Sequence, residues 1–167
     1  MNNSENKIFT CIVCDHQVQE GDEFCPNCGT LFEDNVFCEN HPKQEAQGVC
    51  IICCLPFCQQ CGERVNDLFL CATHSNYEIY QGMARVFGNS DVTLTEYARQ
   101  CLEQAGLHPF LYSRKASPIS VGGPDYRLFQ ASGEFDGHII NEIKVMVPCP
   151  EVPEAEKLLR DLEILTK

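Results

Sequence analysis

Thirteen cysteines in 167 residues, all but two of them between Cys11 and Cys71 and mostly set in pairs two residues apart, predict small metal-stabilised modules early in the chain. After His74 only Cys101 and Cys149 remain, and strand and helix periodicity takes over, which predicts an α+β two-layer domain. The expected fold class is therefore small zinc-stabilised modules followed by an α+β domain. The expected boundaries are 1–34, 35–78 and 79–167.

Thiols set the chemistry. The opening segment MNNSENKIFT lacks the apolar core of a signal peptide, and no run reaches the roughly 18 apolar residues of a membrane span. The expected location is the cytoplasm, with no membrane partner. Thiols stay reduced there, and an odd cysteine count argues further against a disulfide framework, which leaves metal ligation. Residues 1–78 hold 3 Lys/Arg against 12 Asp/Glu, so the cysteine-rich half repels polyanions and argues against nucleic-acid binding.

The first pattern is CIVC at 11–14 followed by CPNCG at 25–29. Each C-x2-C turn aims two sulfurs at one point, so Cys11, Cys14, Cys25 and Cys28 are expected to hold one ion. Four thiolates close a tetrahedral shell, which supports a fold and leaves no position for water. His16 is then an exposed loop residue. Thiolate ligands in this geometry favour zinc over iron. These residues resemble a short zinc ribbon.

The second pattern is CENH at 38–41, CIIC at 50–53, CQQC at 58–61 and CATH at 71–74. Four ligand pairs supply two tetrahedral sites, bringing the expected total to three zinc ions. Spacing leaves two wirings open. Sequential pairing joins Cys38, His41, Cys50 and Cys53, then Cys58, Cys61, Cys71 and His74. Interleaved pairing joins Cys38, His41, Cys58 and Cys61, then Cys50, Cys53, Cys71 and His74. The five-residue step from Cys53 to Cys58 spans at most about 17 Å and permits either. Cys54 is spare, read here as a small, partly buried side chain in a strand-like run. Nine large apolar residues (Phe24, Leu31, Phe32, Phe37, Leu55, Phe57, Leu68, Phe69 and Leu70) are expected to form only satellite cores.

The stretch CENHPKQEAQGVCIICCLPFCQQC resembles the opening of a B-box zinc finger. B-boxes cross-brace their ligands, so the resemblance implies the interleaved wiring. The chain departs from that family at the end, where Cys71 and His74 stand in place of two histidines.

In the second half, 82–88 reads as a strand and 91–106 as a helix. Thr93 and Glu96 fit a capping box, Leu94, Tyr97, Ala98, Cys101, Leu102 and Ala105 form an apolar stripe, and Gly106 is the stop. A strand at 108–114, a turn-rich loop at 117–125, a short strand at 126–131 and a strong strand at 138–148 follow. Pro153 opens a last helix with Ala155, Leu158, Leu159, Leu162 and Leu165 inward. This order suits a ferredoxin-like sandwich.

The strand RVF, the helix ending LEQAGL, the strand HPFLYSR and the segment IKVMVP leading into PEAEKLL resemble a prokaryotic family described as putative signal-transducing domains. No catalytic constellation emerges. VGGP at 121–124 lacks phosphate-loop spacing, and no spacing ties His108 or His138 to Cys101 or Cys149. Glu151, Glu154 and Glu156 suit a helix N-terminus. The expected function is non-catalytic: a zinc-binding protein-interaction or regulatory module whose partner is another protein, with a possible homodimer through the C-terminal sheet. A zinc-thiolate redox sensor, a RING-like ligase component and a nucleic-acid-binding finger are the alternatives.

Overall fold

The computed structural model describes residues 7–113, 134–135, 138–139 and 142–165. The expected loop at 117–125, with VGGP, and the expected strand at 126–131 lie outside these residues. The chain divides into two compact units, 1–77 and 78–167.

The first unit is built from three two-stranded ribbons: β1 (Ile8–Thr10) with β2 (Gln17–Gln19), β3 (Gly48–Val49) with β4 (Pro56–Phe57), and β5 (Gly62–Val65) with β6 (Leu68–Cys71). Asn66 and Asp67 both have positive φ, the backbone that a two-residue hairpin turn requires, and so join β5 tightly to β6. The expected boundary between residues 34 and 35 falls inside this unit. There the Val49 N–H donates to the Gly29 carbonyl (2.8 Å) and the Phe69 N–H to the Cys28 carbonyl (3.0 Å).

Phe69 is the pin of the unit. Its ring is buried, and a Cβ added at Gly48 or Gly62 would come within 2.6 or 2.8 Å of it. Gly29, at φ +75°, lies against the Phe69 Cβ and the Val49 carbonyl oxygen in the same way. Of the nine expected satellite residues, Phe57, Phe69 and Leu70 are buried, whereas Phe32, Phe37 and Leu55 are exposed. Ile51 and Ile52 are buried instead. The reason is their place on a metal-binding turn, where Ile51 donates its N–H to the Phe69 carbonyl.

The second unit is an antiparallel sheet of β7 (Ile79–Tyr80), β8 (Met83–Asn89), β12 (Ile143–Pro148) and β9 (Phe110–Ser113), in that spatial order. A separate hairpin, β10 (Glu134–Phe135) and β11 (His138–Ile139), takes the first residues of the strand expected at 138–148. Strand β7 went unseen in the sequence. Positive φ at Gln81 and Gly82 folds it back on β8 by a tight turn. Because β8 and β9 both run antiparallel to β12, they are parallel to each other, and β8, helix α1 (Val92–Gln104) and β9 form a split βαβ unit.

Helix α1 buries Thr95, Ala98 and Leu102, and helix α2 (Val152–Asp161) buries Val152, Ala155 and Leu159. These meet the Val145 and Val147 face of the sheet, each large side chain contributing about 2 kcal/mol by leaving water. Tyr97 and Ala105 are exposed, so the true stripe is narrower than the sequence suggested. Leu162 also lies outside, because α2 has ended one residue earlier.

The start of α1 corrects the expected capping box. Asp91 is the N-cap, its carboxylate accepting from the Thr93 N–H (2.8 Å) and the Leu94 N–H (3.4 Å), while Glu96 pairs with Arg99. Asp91→Ala is expected to destabilise the unit by about 1 kcal/mol, measurable as a lower urea midpoint with unchanged slope. The stop is as expected: Gly106, at φ +86°, gives its N–H to Glu103, and Leu107 reaches back to Leu102 in a Schellman closure. Glu151 precedes α2 but caps nothing with its side chain. It holds the chain before β9 by accepting from the His108 N–H (2.8 Å) and pairing with His108 Nδ1 (2.7 Å).

Candidate metal centres

Twelve side chains converge in three groups of four. They are Cys11, Cys14, Cys25 and Cys28; Cys38, His41, Cys58 and Cys61; and Cys50, Cys53, Cys71 and His74. Within each group the ligand atoms lie within 4.8 Å of one another, so the second and third groups are interleaved along the chain.

Tetrahedral zinc, with bonds near 2.3 Å to sulfur and 2.0–2.1 Å to nitrogen, requires S···S of about 3.8 Å and N···S of about 3.6 Å. In the first group Cys11 and Cys28 stand 3.7 Å apart, and Cys14 and Cys25 3.6 Å. In the second, His41 Nδ1 lies 3.8, 3.4 and 3.3 Å from the sulfurs of Cys38, Cys58 and Cys61. In the third, His74 Nδ1 lies 3.5 Å from Cys50 and 3.2 Å from Cys71. Donor type, number and spacing all fit zinc. Each group would close its shell with protein ligands, so the ion supplies a fixed crosslink and no reactive water.

The backbone explains why these turns form. Residues 11–16, 25–30 and 50–55 carry the same pair of hydrogen bonds. The first cysteine's N–H donates to the carbonyl five residues on, at His16, Thr30 and Leu55 (2.8, 2.8 and 2.9 Å). Its carbonyl accepts from the N–H four residues on, at Asp15, Gly29 and Cys54 (2.9, 2.8 and 2.8 Å). That fourth residue takes a left-handed backbone each time, with φ of 58°, 75° and 56°.

This corrects the reading of Cys54. It is exposed, and it sits on a turn rather than in a strand. The third cysteine of CIICCLPFCQQC, Cys54, occupies the position that Gly29 fills in the second turn. Cys54→Gly is expected to stabilise the metal-loaded protein by about 1 kcal/mol without changing its metal content, as read by thermal melting and elemental analysis.

Without a cation, burial pushes the Cys25 thiol up to about 12. The side-chain hydrogen bond with Cys53 pulls Cys50 down to about 4, while Cys53 itself is pushed up. The sulfurs of a group thus share protons instead of ionising together, and a divalent ion removes that conflict. Protons and metal compete for the same atoms, so metal retention falls as pH falls.

Three supporting contacts carried no signal in the sequence. Thr30 Oγ1 lies 3.1 Å from Cys28 Sγ, Asn40 Nδ2 donates to Cys61 Sγ at 3.5 Å, and the Tyr77 ring meets His74 edge-on at 5.3 Å. Such neighbours hold ligands in orientation. His16 is exposed, outside the first group. Among the described residues Cys101 and Cys149 join no metal group, and His108 lies with Glu151.

No family model matches the chain, and no curated protein or solved structure does so. The site itself defines the class. This is a metal-binding protein with three Cys/His groups compatible with three zinc ions, joined to an antiparallel sheet with helices.

Proposed function

We propose that the chain is a non-catalytic zinc-binding protein whose ions fix loops for recognition of another protein. The observation that carries this reading is the convergence of four ligands in each of three groups, which would close a shell around an ion and leave no reactive position. The first metal-binding turn displays Ile12 at 94% exposure beside exposed Val13, Ile8 and Phe9, an apolar edge suited to a protein partner. The acidic balance of the chain, −12 overall, disfavours nucleic acid and anionic membrane.

We read the second and third groups as a B-box-like cross-brace, supported by the interleaved ligands. The second unit reads as a ferredoxin-like regulatory domain of the putative signal-transducing kind, supported by the split βαβ unit, with β7 filling the remaining edge. Its edge strand β9 could pair with a second copy. The cytoplasm suits the reduced thiols.

The test is affinity capture with zinc-loaded protein and with an Ile12→Ser, Val13→Ser variant of equal zinc content. The reading expects a protein retained by the first and lost by the second. Equal retention by both would overturn the proposed surface. A redox sensor is the second reading, favoured by the exposure of Cys54 beside Cys53. If low-dose peroxide releases no zinc, that reading fails.

A further inference from the structure

The face of the second unit's sheet opposite the helices is not flat. In a flat sheet, strands β7 and β9 at opposite edges would stand about 14 Å apart, three strand spacings. Yet the rings of Tyr80 on β7 and Tyr112 on β9 have centroids only 6.0 Å apart, tilted by 40°. The sheet curls and both side chains lean inward. The hollow beneath has a volume of about 520 Å³, within the range of small-molecule sites.

Its wall has a consistent chemistry. Tyr80, Tyr112 and Phe110 supply three aromatic rings, and Met83 and Met146 supply two polarisable thioethers on the central strands. Tyr80 and Phe110 are 58% and 60% exposed, unusual for aromatic residues flanking a hollow that could have been filled.

The charges named on this face pair with one another. Among the described residues lining the hollow Glu78 alone is charged, and it is paired with Lys144. The cations of the same sheet are already engaged. Arg85 is paired with Glu142 (Nε to Oε1 2.8 Å), and Lys144, its side chain 14% exposed, is held by Glu78 and by Glu142 at 3.8 Å. A bound anion would find no free cation among these residues, and Glu78 is itself occupied by Lys144, so any preference for charge falls to the ring faces. Electron-rich ring faces and thioether sulfur are together complementary to positive charge on an apolar body.

We propose that this hollow binds a small free organic cation of the alkylated-ammonium class. Its cationic head would lie against Tyr80 and Tyr112, and its apolar body against Met83, Met146 and Phe110. This site shares no residue with the metal groups or with the protein-recognition edge of the first unit.

The test uses the zinc-loaded full chain with methionine methyl groups labelled, titrated with choline and with phenyltrimethylammonium. Saturable shifts are expected at Met83 and Met146 and not at Met1. The uncharged isostere of choline, 3,3-dimethylbutan-1-ol, is expected to bind roughly tenfold more weakly. Tyr112→Leu should weaken the cation by a similar factor and Tyr112→Phe should restore it, since the ring face rather than the hydroxyl is used.

Equal affinity for the uncharged isostere would overturn the proposal, as would the absence of saturable shifts up to roughly 50 mM probe, beyond millimolar affinity. Co-sedimentation with phosphatidylcholine vesicles that is lost in Tyr112→Leu would overturn it too, because the hollow would then take a lipid headgroup and not a free cation. Preserved amide signals of β8 and β12 in each variant separate loss of binding from loss of fold.

Discussion

Stripping metal from the purified protein with a chelator is expected to unfold residues 7–77 while the sheet and helices of the second unit persist. A structural zinc contributes about 10–16 kcal/mol of apparent binding free energy, whereas a whole domain is stable by only about 5–15 kcal/mol. The first unit has little else to draw on. Its strands are two to four residues long, and its buried side chains are few beyond the ligands, Ile51, Ile52, Phe57, Phe69 and Leu70. Elemental analysis of the untreated protein should give three zinc per chain. Amide exchange after chelation should show protection lost at Val49, Phe69 and Cys54 and kept at Val145 and Val147. Protection surviving in the first unit, or a zinc content well below three, would contradict the account.

The second large effect is expected at Phe69. Phe69→Ala should cost about 3–5 kcal/mol, toward the upper end, because the walls of the hole are Gly29, Gly48 and Gly62, which have no side chains to collapse into it. Gly29→Ala should be comparably damaging for the opposite reason. Its new methyl would stand 2.1 Å from the Val49 carbonyl oxygen, on a backbone at φ +75° that L residues avoid. That clash breaks the hydrogen bond joining residues 25–30 to β3. Both variants should show earlier unfolding in urea with zinc in excess, and faster zinc loss to a chelator. A change below about 1 kcal/mol in either would mean that Phe69 is not the pin.

The metal ligands were the most legible part of the chain, because C-x2-C and C-x2-H spacings state which residues share a turn. Spacing could not state which turns share an ion, since residues 53–58 reach in either direction; only the packing of β3 to β6 separates the interleaved groups. Helix α1 was readable from its period and from Gly106, but its cap was misplaced, because Asp91 competes with Thr93 for the same role and reaches the free N–H groups two residues earlier. Strand β7 is two residues long and left no periodicity to read. Cys54 was misread because a cysteine in a run of apolar residues carries no mark of a left-handed backbone. The hollow of the second unit was invisible, since it depends on curvature that brings Tyr80 near Tyr112.

The three matching turns have one more consequence. Their shape is written in main-chain hydrogen bonds and two sulfurs, so the pair of residues at each tip is left without a geometric duty. At 12–13 that pair faces solvent, while at 51–52 the same kind of aliphatic pair is interior. One template can therefore serve as a contact point in one place and as ballast in another. Changing the tip at 12–13 would alter what the protein touches while leaving its scaffold as it is, whereas a polar tip at 51–52 would take away part of the interior.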